Sequence, residues 1–213
     1  MPRPRAFDEH HVLERAREQF WTTGFAGTRM DDIAQATGLG KGSLYGAFGD
    51  KGKLFHRVFD DWCTAVVEVA EERLAGGPDA EALARLSGYV HLMAENAAAD
   101  TERRGCLVAK GAAELAQHDP TVAAQSAATM TALLTLLQTE ISAAQRHGDI
   151  DRAADPEQLA ALLLTVVRGI EAVGKAGLAP QTLRTIADTA LAVLPTPAEQ
   201  EPSATRHRPA RTS

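Results

Sequence analysis

The sequence is poor in cysteine, poor in aromatic residues and without any long apolar run. Two cysteines, Cys63 and Cys106, in 213 residues cannot frame a disulfide scaffold, and they lack CxxC spacing. Such usage fits a reducing cytoplasm. The longest apolar run is about Leu159–Leu164, far short of the roughly 18 residues of a membrane span, so no membrane partner is expected. Met1-Pro-Arg-Pro-Arg5 leads into charged sequence without an apolar core, so no secretion signal is expected either. Only 10 residues are aromatic, whereas 40 are Ala and 22 are Leu. Those two are strong helix formers, and the composition points to an all-α chain.

Charge is uneven. Residues 1–60 carry 9 Lys/Arg and 8 Asp/Glu, and the remainder carry 13 and 20. The pI near 5.6 argues against nucleic acid if taken alone. Within Arg29–Arg57, however, five basic residues face three acidic ones. A local basic face can bind DNA on an acidic protein, because the phosphate field acts within ~8–10 Å.

Periodicity and cap signals divide the chain into nine helices and no strand. The first is expected over 9–23, capped by Asp8, stapled by Phe7 and Val12, and stopped by Gly24. The second starts at a Thr28-x-x-Asp31 capping pattern and ends at Gly38. A third runs over Lys41–Phe48, and Asp50 caps a fourth reaching Ala75. Five more follow over 79–99, 106–117, 120–147, 157–176 and 180–194, two of them opened by Asp-Pro. The expected units are a helix-turn-helix domain over 1–55, a helical regulatory domain over 56–194 and a Pro-rich disordered tail over 195–213.

Two helices joined by Gly38-Leu39-Gly40 describe a helix-turn-helix. In such a unit the N-terminal residues of the second helix face base edges. Lys41, Gly42, Ser43 and Tyr45 occupy those positions, with Gly42 allowing close backbone approach. Thr28 and Lys51 sit at helix N-termini, where free N–H groups attract phosphate, and Arg29 is counted with them among the expected DNA-binding residues. Arg3 and Arg5 suit either an arm for the neighbouring minor groove or a frayed terminus.

The string from Thr28 to Phe55 closely resembles the DNA-binding domain of TetR-family transcriptional regulators. Thr28, Ile33, Ala34, Gly38, Gly42, Leu44, Tyr45, Phe48, Lys51 and Leu54 carry the resemblance, which spans roughly residues 8–60. Two positions depart from it: Gly40 stands where a Ser often caps the recognition helix, and Ala47 where a His often precedes the Phe. The segment Arg104–Val108 is similar to one found in some members' regulatory domains. The resemblance implies a ligand-responsive regulator, a repressor in the usual case, acting as a homodimer on a palindromic double-stranded DNA operator.

It also places Trp62, Val66, Tyr89, Met93, Cys106, Leu107, Met130, Leu134 and Leu137 around an internal pocket. Together they would suit a small hydrophobic ligand. The helix at 157–176 is apolar nearly all round, and the last helix carries apolar residues at 3–4 spacing. Leu162, Val166, Leu183, Ile186, Ala190, Leu191 and Leu194 are therefore the expected dimer contacts.

Rival readings have less behind them. Gly38-x-Gly-x-Gly42 is neither GxGxxG nor GxxxxGK. Glu114/His118 and His91/Glu95 are i, i+4 pairs that fit the surface of a helix better than a metal site. No cofactor is implied, and no catalytic constellation supports an enzyme. The alternatives are a helical protein–protein adaptor using the same hairpin without DNA, or a DNA-binding redox or metal sensor using Cys106 or histidines.

Overall fold

Aspartates and prolines start these helices, and glycines end several of them. The computed structural model describes residues 7–197, which form nine α-helices and no strand. They are α1 (Glu9–Gly27), α2 (Met30–Thr37), α3 (Lys41–Phe48), α4 (Lys51–Leu74), α5 (Ala82–Ala99), α6 (Leu107–Leu115), α7 (Pro120–His147), α8 (Pro156–Lys175) and α9 (Pro180–Ala192). A 3₁₀ turn at Asp79–Glu81 precedes α5, a span the sequence suggested as helix from its first residue. Asp8, Asp50, Asp119 and Asp155 each accept backbone N–H groups as side-chain N-caps. Gly38 and Gly148 close α2 and α7 in the left-handed region. Arg3, Arg5 and residues 198–213, most of the expected tail, lie outside the described residues.

The end of α1 differs from expectation. Gly24 does not stop the helix but kinks it, with φ 77°, and the helix resumes to Gly27. The kink is held from outside. The Glu114 carboxylate of α6 occupies the space a Cβ at Gly24 would need and accepts from the Ala26 N–H at 3.1 Å. Thr28 is consequently drawn into α1. Its hydroxyl donates to the Gly24 carbonyl at 2.7 Å, and Arg29 becomes the N-cap of α2, its backbone N–H bonding Asp32 Oδ2 at 2.8 Å.

Two hydrophobic cores result. The first joins Val12, Ala16 and Phe20 of α1, Ile33, Leu44 and Phe48 of the hairpin, and Leu54, Phe55, Val58 and Phe59 of α4. Phe20, Phe25, Phe55 and Phe59 pack ring against ring, with centroids 5.0–6.2 Å apart. The second joins Ala70 and Leu74 of α4 to the inward faces of α5, α7, α8 and α9. α4 belongs to both, so the boundary expected after residue 55 falls inside one helix. α7 is long and apolar enough to cross a membrane by composition alone; here it packs against α4, α5, α6 and α8.

Packing is tight where α6 crosses α4. A Cβ on Gly111 would lie 2.5 Å from Phe59 Cε2, whereas a Cβ on Gly88 of α5 would meet nothing within 4 Å. Gly111→Ala should therefore cost about 1–3 kcal/mol by overpacking. Gly88→Ala should add about 0.4–1 kcal/mol through helix propensity. Urea midpoints measured side by side check both, and equal shifts in the same direction would contradict this packing.

Candidate functional site

The outer face of α3 is short of side chains. Leu44 and Phe48 point into the first core, leaving Lys41, Gly42, Ser43, Tyr45 and Gly46 exposed. Gly42 and Gly46 lie one turn apart, and a Cβ on either would meet nothing within 4 Å. Two glycines in an eight-residue helix cost about 1 kcal/mol each relative to alanine. Gly40, the N-cap, supplies no side-chain hydrogen bond. Nothing in the intramolecular packing requires those bare positions; a surface that approaches α3 from outside would. Beside them Tyr45 is 51% exposed. Lys41 reaches Asp31 of α2 at 2.5 Å, a solvent-exposed pair that keeps the ammonium charged. Such pairs contribute little net stability, so Lys41 can exchange Asp31 for another anion at small cost. Gly46 was missed in the sequence, although its spacing from Gly42 was the available signal.

Three residues expected at DNA are placed differently from one another. Arg29 is exposed at the start of α2. Thr28 is only 1% exposed, and its hydroxyl is spent on α1, so it is corrected from a phosphate contact to an internal cap. Lys51 is also corrected. Its Nζ donates to the carbonyls of Phe25 (2.9 Å) and Thr28 (3.0 Å) and lies 4.2 Å from the Phe25 ring centroid. Two of its three donors thus hold the end of α1 against the start of α4.

A cavity of about 440 Å³ lies between this head and the helices behind it. Of the residues the resemblance placed around a pocket, Trp62, Val66, Tyr89, Met93 and Cys106 line this cavity. Leu107, Met130, Leu134 and Leu137 do not; Leu107 and Leu137 are fully buried, and Met130 and Leu134 pack on the cores. The wall is also less apolar than expected. Asp100, Arg104, Arg168, Glu171 and Lys175 contribute charged groups. Trp21 of α1 lines it too, its ring 4.8 Å from that of Trp62 and its Nε1 donating to the Gly105 carbonyl at 2.6 Å. No local pattern marks the contact of Trp21 with residue 105, 84 positions away.

At the polar end, Arg168 Nη1 donates to Cys106 Sγ at 3.3 Å and pairs with Glu171 at 3.0 Å. Burial pushes the Glu171 carboxyl up, against opposing pulls from Arg168 and the Cys106 thiol. Burial likewise pushes the thiols of Cys63 and Cys106 up, and both cysteines are free. No cluster of three metal-ligating side chains occurs among the described residues. The suspected helical pairs turn elsewhere: His91 to Asp188 at 2.8 Å, Glu95 to Arg184, and Glu114 to Ala26.

The expected dimer contacts divide. Leu162 is 44% exposed, and Val166, Ile186 and Leu191 are half-buried. Leu183 is corrected to an internal core residue, and Ala190 and Leu194 are nearly covered. An open groove between α8 and α9 is lined by Val166, Thr185, Ile186, Thr189 and Val193, the last 60% exposed.

Comparison with known proteins gives one answer. Residues 12–58 match the profile of bacterial regulatory proteins of the tetR family, and residues 82–190 match the tetracyclin repressor-like C-terminal domain. The HTH-type transcriptional repressor ComR of Escherichia coli (strain K12) is 25% identical over 193 residues, 91% of each chain. An uncharacterised HTH-type regulator, YezE of Bacillus subtilis (strain 168), is 33% identical over 58% of this chain and 62% of its own. Among solved structures, a cysteine mutant of the TetR-family regulator CifR, complexed with 26-base-pair operator DNA, has a TM-score of 0.79. It is 26% identical and covers 91% of this chain and 100% of its own. Both halves of the chain, and the fold that joins them, therefore place it in the TetR family of DNA-binding transcriptional regulators.

Proposed function

We propose that this protein is a cytoplasmic repressor that binds a palindromic operator as a homodimer and is released when a small effector fills the cavity. The observation that carries the reading is the bare, unpartnered face of α3. Backbone exposed at Gly42 and Gly46 permits close approach in the major groove, while Lys41, Ser43 and Tyr45 reach base edges or phosphate. Arg29 adds a phosphate contact from the start of α2. The protein in the CifR complex is bound to its operator, and ComR is named a repressor, which supports both parts of the reading. A protein–protein adaptor would gain nothing from a glycine pair that weakens its docking helix.

Coupling runs through two helices of the head. α4 contributes Leu54–Phe59 to the head core and Trp62, Val66 and Val69 to the cavity wall. α1 contributes Trp21. A molecule that separates Trp21 from Trp62 tilts the head on the regulatory domain. Two recognition helices must span about one DNA turn, ~34 Å, so a shift of a few ångströms weakens the paired contact. The dimer that sets this spacing is formed by α8 and α9 around Leu162, Val166, Ile186 and Val193. Leu183, Ala190 and Leu194 brace the helices from inside.

Mobility shift tests the DNA face. Gly42→Ala should stabilise α3 yet weaken operator binding about tenfold or more, a separation of stability from affinity. The double change Tyr45→Ala, Lys41→Ala should cost a further ~1–3 kcal/mol of binding. Unchanged affinity in both folded variants would reject α3 as the recognition helix. Lys51→Ala should act otherwise: it should lower the stability of the head by about 1.5–3 kcal/mol, the range for hydrogen bonds to a charged group. The salt dependence of whatever folded protein remains should be unaltered, and a lost unit of salt slope at full stability would restore Lys51 to the phosphate contacts. Val193→Asp combined with Ile186→Asp should give a monomer mass by light scattering and abolish the shift. A dimer mass in that variant would move the interface elsewhere.

A further inference from the structure

Residues that line the cavity carry polar atoms without a hydrogen-bond partner among the described residues, two donors and one acceptor, Glu171 Oε2. Arg168 Nε and Trp62 Nε1 are buried without an acceptor among the described residues. Lys175, at the same wall, has no ion-pair partner there. The other charges of the wall are committed. Arg104 pairs with Glu18 at 2.7 Å and stacks on Trp21, while Asp100 accepts from the Gly105 N–H at 2.8 Å. Glu171 is held by Arg168. Buried donors without acceptors are costly, and the cost is recovered when an acceptor arrives.

We propose that the cavity binds a small amphipathic monocarboxylate, its apolar body against Trp62 and Met93 and its carboxylate toward Arg168 and Lys175. The inference rests on the reading that the effector occupies this cavity. A monoanion fits better than a phosphate dianion, because Glu171 already shares the Arg168 guanidinium and would repel a second charge. A cationic head group would confront Arg168 and Lys175, and the one buried carboxylate oxygen without a hydrogen bond among the described residues, Glu171 Oε2, already lies in an ion pair with Arg168 at 3.0 Å.

The only two tryptophans in the chain, Trp21 and Trp62, both line the cavity, so their fluorescence reports occupancy directly. The purified full chain is titrated at pH 7 with straight-chain carboxylates of about six to ten carbons and with alcohols and amines of the same lengths. The carboxylates should bind about tenfold or more tightly than the matching alcohols, with amines weakest. Arg168→Gln should close most of the gap between carboxylate and alcohol, Lys175 supplying the remainder. Glu171→Gln should tighten the carboxylate several-fold, since it removes the opposing charge at constant shape. This second variant decides the matter if the first does not fold. An alcohol or amine that binds as tightly as the carboxylate overturns the head-group assignment and leaves the cavity as effector site intact. Glu171→Gln without effect on carboxylate affinity overturns the assignment equally. Silence from all three series removes the effector-cavity reading and this inference with it.

Discussion

One buried stripe on α4 ties the molecule together. Leu54, Phe55, Val58 and Phe59 fill the core beneath the recognition helix, and Ala70 and Leu74, four turns on, fill the core of the regulatory domain. An α-helix of this length transmits displacement with little internal give, since bending it strains a continuous hydrogen-bond ladder. The two cores cannot shift independently along that axis. A second set of contacts between head and regulatory domain comes from α6. Glu114 holds the Ala26 N–H, Lys110 Nζ donates to the Trp21 carbonyl, and Gly111 lets α6 lie directly on the Phe59 ring. The head is thus fastened along one edge by α4 and along another by α6, with the cavity beside the pair.

That arrangement explains why charged groups appear in a wall the sequence suggested as apolar. Arg168 and Lys175 lie on α8 and Arg104 on the connection between α5 and α6, and each approaches the cavity from the regulatory side. In a low-dielectric space their charges act over longer distances than on the surface. Glu171 and Cys106 satisfy only part of Arg168. An uncommitted donor is a cost in the empty protein and a source of selectivity in the occupied one.

Much of the architecture was legible in the sequence because it is written locally. Asp caps, Pro at the first helical position, Gly38 and the 3–4 spacing of apolar residues fix α3 to the residue and most other helix bounds within about two positions. The errors arose where a distant group overruled a local signal. Thr28-x-x-Asp31 reads as a capping box, but the kink at Gly24, held by Glu114 from α6, gives the Thr28 hydroxyl a nearer acceptor. Lys51 reads as an exposed cation at a helix start, but the Phe25 and Thr28 carbonyls lie within its reach. Trp21 entered the cavity wall for the same reason. Each depends on contacts between residues more than twenty positions apart, which no periodicity records. Within the cavity, the family resemblance named nine positions, of which five line the wall; it could not tell which side of α7 faces inward, and Met130, Leu134 and Leu137 turn to the cores.

The glycine pair of α3 has a thermal consequence. Eight residues with two glycines and no side-chain cap form a weak helical segment, held in place chiefly by Leu44 and Phe48. Such a segment frays on heating well before either core melts. Operator affinity then inherits an ordering entropy of its own, in proportion to how much of α3 must re-form on the duplex. Occupancy of the operator would decline with temperature along a gentler curve than the one that describes global unfolding, and the folded regulatory domain would outlast its grip on DNA.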